Sequence, residues 1–521
     1  MPSWFSAPSS LSWPDYGILF FSLACLIAIG VRFTSEQHDT ADFFLARRRV
    51  PWWAACLSFL ATEISAVTII SVPATAYSEN WEYLQFFVGS SLAKFVVAFL
   101  FIPAFYAYNC TTIYEFLGYR FGQATQLTGS IFFFITRLLG SGVRLMAACL
   151  AVSILLGWKL GPTIALFTAV SIAYIATGGV KAVIWTNVFQ ALTFLAAGAV
   201  TLVFLVTQID GGVGAVLAVA GQAGRLGVVN WGPAPGDPDF WTRILTDPNI
   251  VWLAILNGLV GSTAAFGTDH DLMQRLLTVE TRGQSQRTMA LTPLGTLLTL
   301  IIYMGIGAGL YTYYVQHPGL PVPRPDDIFP HFIESAMPVV LRGLMLSAIV
   351  LASIDSPLGS LAASFVTDIY RPLLVRRGTE RHYLFVSRLC VVAFGLILAV
   401  LAYGFSFFDQ ILWLAFKIAG VTFGSLLGVF LLGLLSTRRA NRANVVAMVA
   451  MALVNLVLLV LSETKVLLLG WSWLVIWGTA GTIALAWLLG PWLDRRGGQS
   501  GAALTANCEG VAADVSRGGG R

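Results

Sequence analysis

Apolar runs of about twenty residues or more recur along almost the whole chain, and each is long enough to cross about 30 Å of hydrocarbon. Read against the charged breaks between them, they divide the sequence into about thirteen spans. These lie near 14–33, 53–78, 82–107, 128–156, 161–178, 182–208, 249–266, 288–314, 338–369, 383–404, 407–435, 443–462 and 472–491. Only 11% of residues are charged against 57% hydrophobic, where a soluble domain carries about 25% charged residues. The expected fold class is therefore an all-α polytopic membrane protein. The longest break, 209–248, is rich in Gly, Pro and Asp, and residues 492–521 form a Gly/Ala/Arg tail without apolar periodicity, expected to be disordered.

The net charge of +5 is too small to argue for nucleic acid; its distribution is what matters. An outside N-terminus gathers Arg47, Arg48, Arg49, Arg120, Lys181, Arg275, Arg282, Arg287, Arg371, Arg376, Arg377, Arg381, Arg438, Arg439, Arg442, Arg495 and Arg496 on the cytoplasmic face. The opposite loops keep only Lys159, Arg225, Arg243, Arg324 and Lys465. This asymmetry places the chain in the plasma (inner) membrane with its N-terminus outside and its C-terminus in the cytoplasm. One missed span would scatter the basic loops over both faces, so the count and the orientation support each other. No Lys or Arg precedes the first apolar run, so no cleavable signal peptide is expected. The six cysteines are scattered without a CxxC pair and read as small hydrophobes rather than metal ligands or disulfides.

Ionisable residues at mid-membrane depth are costly unless they are paired or face water, so they point to function. Here they are Glu63 in the second span, Arg137 and Arg144 in the fourth, Asp355 in the ninth and Lys417 in the eleventh, with Lys94 in the third a weaker candidate. The competing reading is internal ion pairing, for instance of Glu63 with one of the arginines. Arg137 and Arg144 stand two helical turns apart on one face, and two guanidiniums suit a carboxylate. Backbone irregularity is a second pointer. Ala61-Thr62-Glu63-Ile64-Ser65-Ala66 runs on through Thr68 and Ser71 to Pro73, a pattern that suits a broken helix whose freed carbonyls line a cavity. A simple proline kink is the alternative. The ninth span carries Ser347, Ser353, Asp355, Ser356, Ser360 and Ser364; hydroxyls beside a carboxylate are the oxygen donors a hard cation prefers.

These residues resemble the sodium:solute symporter family over roughly residues 14–490. The resemblance rests on Phe44-Leu45-Ala46-Arg47 with Pro51-Trp52-Trp53, on Ala61 to Ala66, and on Gly178-Gly179-Val180-Lys181-Ala182-Val183-Ile184-Trp185-Thr186. Gly267-Thr268-Asp269 with Gln274-Arg275, and Asp368-Ile369-Tyr370, complete it. It implies a LeuT-type core of two inverted five-helix repeats. The expected organisation is an extra N-terminal helix (1–34), a first repeat (51–208), an extracellular connection (209–248), a second repeat (249–435), two C-terminal helices (436–491) and the tail (492–521). It also implies a sodium site built from the carbonyls of Ala61, Ile64 and Ile349 with side-chain oxygens at positions 352 and 353.

The sequence departs from that pattern. Ala352 has no hydroxyl to offer beside Ser353, and Asn187 stands where relatives carry an aspartate used by some for a second sodium. Asp355, one turn from Ala352, is expected to take the anionic role together with Ser353, Ser356 and Asn187. The resemblance to the family's sugar carriers places Thr68 and Phe87 where those proteins have polar sugar ligands, but Phe87 cannot replace a hydrogen-bonding carboxylate, which argues against glucose-type recognition. The excess of cations at depth favours an anionic solute, or a zwitterion with its ammonium on Glu63; the residues named for it are Glu63, Ser65, Thr68, Phe87, Arg137, Arg144 and Lys417. The function expected is sodium-coupled symport of a small polar solute by alternating access, with Na+ as the only metal and no catalytic residues. A sodium- or proton-coupled sugar or amino-acid symporter, an uncoupled uniporter and a membrane sensor are the rivals.

Overall fold

The computed structural model describes residues 11–320, 327–354, 357–407, 411–438 and 440–494. Within them the chain is helical, and its only β-type contact is an isolated bridge between Val50 and Val279. Each expected span coincides with a helical segment. Helices Trp13–Arg32, Gln123–Leu156, Val251–Thr268, Arg282–Gln316, Glu380–Phe405, Asn441–Glu463 and Ser472–Leu493 match single spans. The third span runs from Tyr83 to Ala107 through a π-helical stretch at Val97–Phe101. The ninth comprises Val339–Ile354 and Leu358–Ser364, which continues into a π-helical segment, Phe365–Leu374.

The fifth and sixth spans form one continuous helical stretch, Leu160–Thr207, interrupted at Gly179. Gly179 has φ +58°, and a Cβ there would lie 2.8 Å from the Phe43 carbonyl oxygen. Only glycine combines that left-handed backbone with so close an approach. Small residues do the same between helices. A Cβ on Gly258 would meet the Phe86 carbonyl oxygen at 2.3 Å, and one on Gly89 the Ile255 carbonyl oxygen at 2.1 Å. The third and seventh spans therefore pack backbone to backbone, as dispersion-driven association in lipid requires.

Polar contacts fix which loops share a face. Gln274 donates to the Phe44 carbonyl (2.9 Å), and Tyr106 donates to the carbonyls of Leu276 (2.9 Å) and Val279 (2.6 Å). The short buried helix His270–Leu277, between the seventh and eighth spans, thus lies beside the loop that precedes the second span, as the span count demands. In that loop Ala46, Arg47 and Arg48 all adopt left-handed backbone. Arg47 secures the turn by ion pairs with Asp42 (2.6 Å) and Asp39 (2.7 Å).

Candidate functional site

The second span breaks at mid-depth. Helix Trp52–Glu63 ends, Ile64 and Ser65 are extended, and helix Ala66–Ser78 follows; the two arms meet at 59°. The break therefore lies at Ile64–Ser65, while Pro73 sits inside the second arm. The local cause is side-chain competition for the backbone. Thr68 Oγ1 accepts from the Ser65 amide at 3.4 Å, starting a new helix instead of continuing the old one. A helix end leaves the carbonyls of its last turn without intrahelical donors, and Ala61 belongs to that turn. Ala61 and Ile64 are buried, as are Ile349 and Ala352 on Val339–Ile354, a helix that packs against Ala66–Ser78. Ala352 brings a methyl group here, not an oxygen. Asp355 and Ser356 lie outside the described residues, and so do the side chains of Ser353 and Lys417.

Asn187 is fully buried against the first arm. Its Nδ2 donates to Ser58 Oγ (3.2 Å) and Thr62 Oγ1 (3.1 Å), while Oδ1 has no hydrogen-bond partner among the described residues. The sixth span is thereby tied to the arm carrying Ala61, with one oxygen left over. Ser65 and Thr68 are partly buried beside the break, and Phe87 is a partly buried ring packed against the main core.

Of the charges expected at depth, Glu63, Lys94 and Arg137 are paired, though not as the sequence suggested. Glu63 pairs with Lys94: Nζ donates to both carboxylate oxygens at 2.8 Å and to Thr296 Oγ1 at 3.0 Å. The Lys94 side chain is 0% exposed and that of Glu63 14%. The expectation that a solute ammonium occupies Glu63 meets a protein ammonium already there, and the expected arginine partner is a lysine. Arg137 also has protein partners, bonding Asp269 at 3.2 Å and, closely, Asp271. Arg275 pairs with Asp271 at 3.0 Å, and Ser360 Oγ donates to the same carboxylate at 3.0 Å. Burial disfavours the Asp271 anion, yet Arg137 and Arg275 beside it hold its carboxyl well below the usual carboxylate range. Arg144 is partly buried two turns further along the fourth span.

Sequence reasoning passed over three features of this region. Asp269 and Asp271 entered only as part of a motif or not at all, because they lie between spans, on the connector helix His270–Leu277 and its cap, where a charge is no signal. Asp368 likewise marked only a motif; it is buried and accepts from Thr112 (2.7 Å), Gln126 (2.8 Å), Ser130 (2.9 Å) and Ser364 (2.7 Å). Arg342, at the opposite end of the ninth span, bonds Asp15 of the first helix at 2.6 and 3.0 Å. A charge or Asx/hydroxyl residue inside an apolar run was the available signal for the last two.

A helical membrane bundle whose first core helix breaks at mid-depth, with carbonyls, hydroxyls and neutralised charges at the break, is built as a secondary active transporter. The chain belongs to the sodium:solute symporter family, whose model matches residues 43–454. It is 30% identical to the sodium/sialic acid symporter SiaT of Proteus mirabilis, over 82% of this chain and 85% of that protein. It is 27% identical to sodium-coupled monocarboxylate transporter 1 of Homo sapiens, over 81% of this chain and 69% of that protein. A solved structure of a Na+-coupled sialic acid symporter, substrate-bound and outward-open, superposes with TM-score 0.81 at 25% identity and covers 92% of this chain and 98% of that one. The protein is thus a sodium-coupled solute symporter of LeuT-type fold, and not an enzyme.

Proposed function

We propose that the solute is a small organic carboxylate, a sugar acid of the sialic acid class in the first instance, carried inward with sodium. The repeats 51–208 and 249–435 form the moving core in this reading, and the N-terminus faces outside. The observation that carries it is the set of charges at the break. Lys94 and Arg137 bond protein carboxylates; the cations assigned to the solute are Arg144 and Lys417, Arg144 being a fork donor suited to one carboxylate. Thr68 and Ser65, at the break of the second span, are assigned the hydroxyl contacts to a polyol. The names of two relatives are in keeping with this: sialic acid and monocarboxylates are both carboxylates. Sodium is assigned to the carbonyls of Ala61, Ile64 and Ile349 with Ser353, Asp355, Ser356 and the open Oδ1 of Asn187, Asp355 making good the oxygen that Ala352 lacks.

Binding of the cation at the break organises the cavity, the solute adds, and rocking of the core exposes both to the other side. Each inward positive charge gains about 2.3 kcal/mol per 100 mV. The test is uptake of N-acetylneuraminate, lactate, iodide and glucose into proteoliposomes under sodium, proton or no gradient. Sodium-driven accumulation of a carboxylate is expected, and Arg144→Ala should raise its half-saturation at least tenfold. Accumulation of glucose alone, or flux that equilibrates without a gradient, would overturn the proposal.

A further inference from the structure

The surroundings of Lys94 are those of a cation site. Three oxygens from two spans, Glu63 Oε1, Glu63 Oε2 and Thr296 Oγ1, lie 2.8, 2.8 and 3.0 Å from its Nζ. The Phe266 ring face, 5.2 Å away, closes a further side, a placement rings offer to cations. Thr296 Oγ1 in turn lies 2.9 Å from Glu63 Oε2, so the oxygens form a connected set. Glu63 is the last residue of helix Trp52–Glu63, where the negative end of the helix dipole adds to the field. Lys94 reaches this point from about the middle of the third span, and Thr296 from about the middle of the eighth. An uncompensated carboxylate at that depth is costly, so it draws a cation. A carboxylate, a hydroxyl and a helix C-terminus are the donors a free monovalent cation would require; here a side chain brings the positive charge.

We propose that Lys94 is a tethered cation seated in a monovalent-cation site formed by Glu63 and Thr296, and that removing its ammonium opens this site to sodium. The protein thereby carries one charge at the break permanently, and Glu63 adds nothing to the number of sodium ions moved. This goes beyond the assignment of the conducting sodium and of the solute, and does not depend on either, because the experiment compares each variant with the parent protein.

The experiment is equilibrium binding of 22Na+ to purified full-length protein in detergent, with choline replacing sodium at constant ionic strength. Lys94→Ala should bind one more sodium per chain than the parent. Its Tm should also rise more between about 5 mM and about 500 mM sodium than that of the parent, since a ligand bound only by the folded state stabilises it. The double variant Glu63→Gln with Lys94→Met, neutral and of similar volume, should return both readouts to the parent values. An unchanged sodium count for Lys94→Ala overturns the proposal, as does a gain in Tm that follows acidification instead of sodium. A Lys94→Ala protein that cannot be recovered at any sodium concentration, while the double variant can, overturns it too.

Discussion

At the scale of single residues, the buried charges among the described residues have counter-charges or hydrogen-bonding partners, and the pairing decides their chemistry. Glu115 illustrates the cost when neutralisation is partial. It lies in the short helix Ile113–Arg120, between the third and fourth spans, where its carboxylate accepts from the amides of Thr111 (2.5 Å) and Thr112 (3.2 Å). Burial pushes its pKa up from 4.5 to about 7, the nearby Asp368 carboxylate adds to the rise, and the two amides and Arg371 oppose it. The folded state therefore binds this proton more tightly than the unfolded chain. Its contribution to stability is fully present below about pH 4.5 and is lost as pH rises towards about 7. Thermal unfolding in detergent from pH 5 to 8 should show Tm falling with pH in the parent protein, and Glu115→Gln should flatten that slope. A slope unaltered in the variant would assign the dependence to another group.

At the scale of helices, packing depends on missing atoms. Gly258 and Gly89 let the third and seventh spans touch through backbone, which also carries Lys94 and Phe266 to the break. Gly258→Ala puts a methyl 2.3 Å from a carbonyl oxygen, and forced repacking of this kind costs about 1–3 kcal/mol. Gly283→Ala, where nothing lies within 4 Å, should be neutral or slightly stabilising because alanine is the better helix former. Parallel Tm measurements on the two variants check this, and equal losses would show that the close approach does not govern stability. The broken second span belongs to the same scale. The run from Ala61 to Ala66 marked the interruption, but its placement at Ile64–Ser65 follows from the Ser65–Thr68 contact and not from Pro73.

At the scale of the whole molecule, alternating access requires contacts that close one face and later part. The network of Arg137, Asp269, Asp271, Arg275 and Ser360 joins the fourth span, the connector His270–Leu277 and the ninth span. The connector is anchored beside Phe44, on the face carrying the Arg47–Arg49 cluster. Asp271→Asn removes the anion that both guanidiniums share, and losing one partner of a buried ionic set costs about 3–5 kcal/mol. Turnover at saturating sodium and solute should fall at least tenfold, with solute half-saturation changed much less. The converse pattern, normal turnover with weakened half-saturation, would place Arg137 in the solute site after all.

The amino-acid sequence alone determined the helical membrane class, where the apolar helices lie, the interruption of the second span and the family. Each is a property of about twenty consecutive residues or of short motifs, and hydrocarbon imposes it locally. Which residues meet was decided only by the tertiary structure. Glu63 and Lys94 are 31 positions apart, and Arg137 and Asp269 are 132 apart. Whether such pairs touch depends on the rotation, tilt and close approach of helices that no single span specifies. The sequence could list the charges that needed partners; the packing of the bundle assigned the partners, because a buried charge must be neutralised by whatever the neighbouring helices bring within about 3 Å.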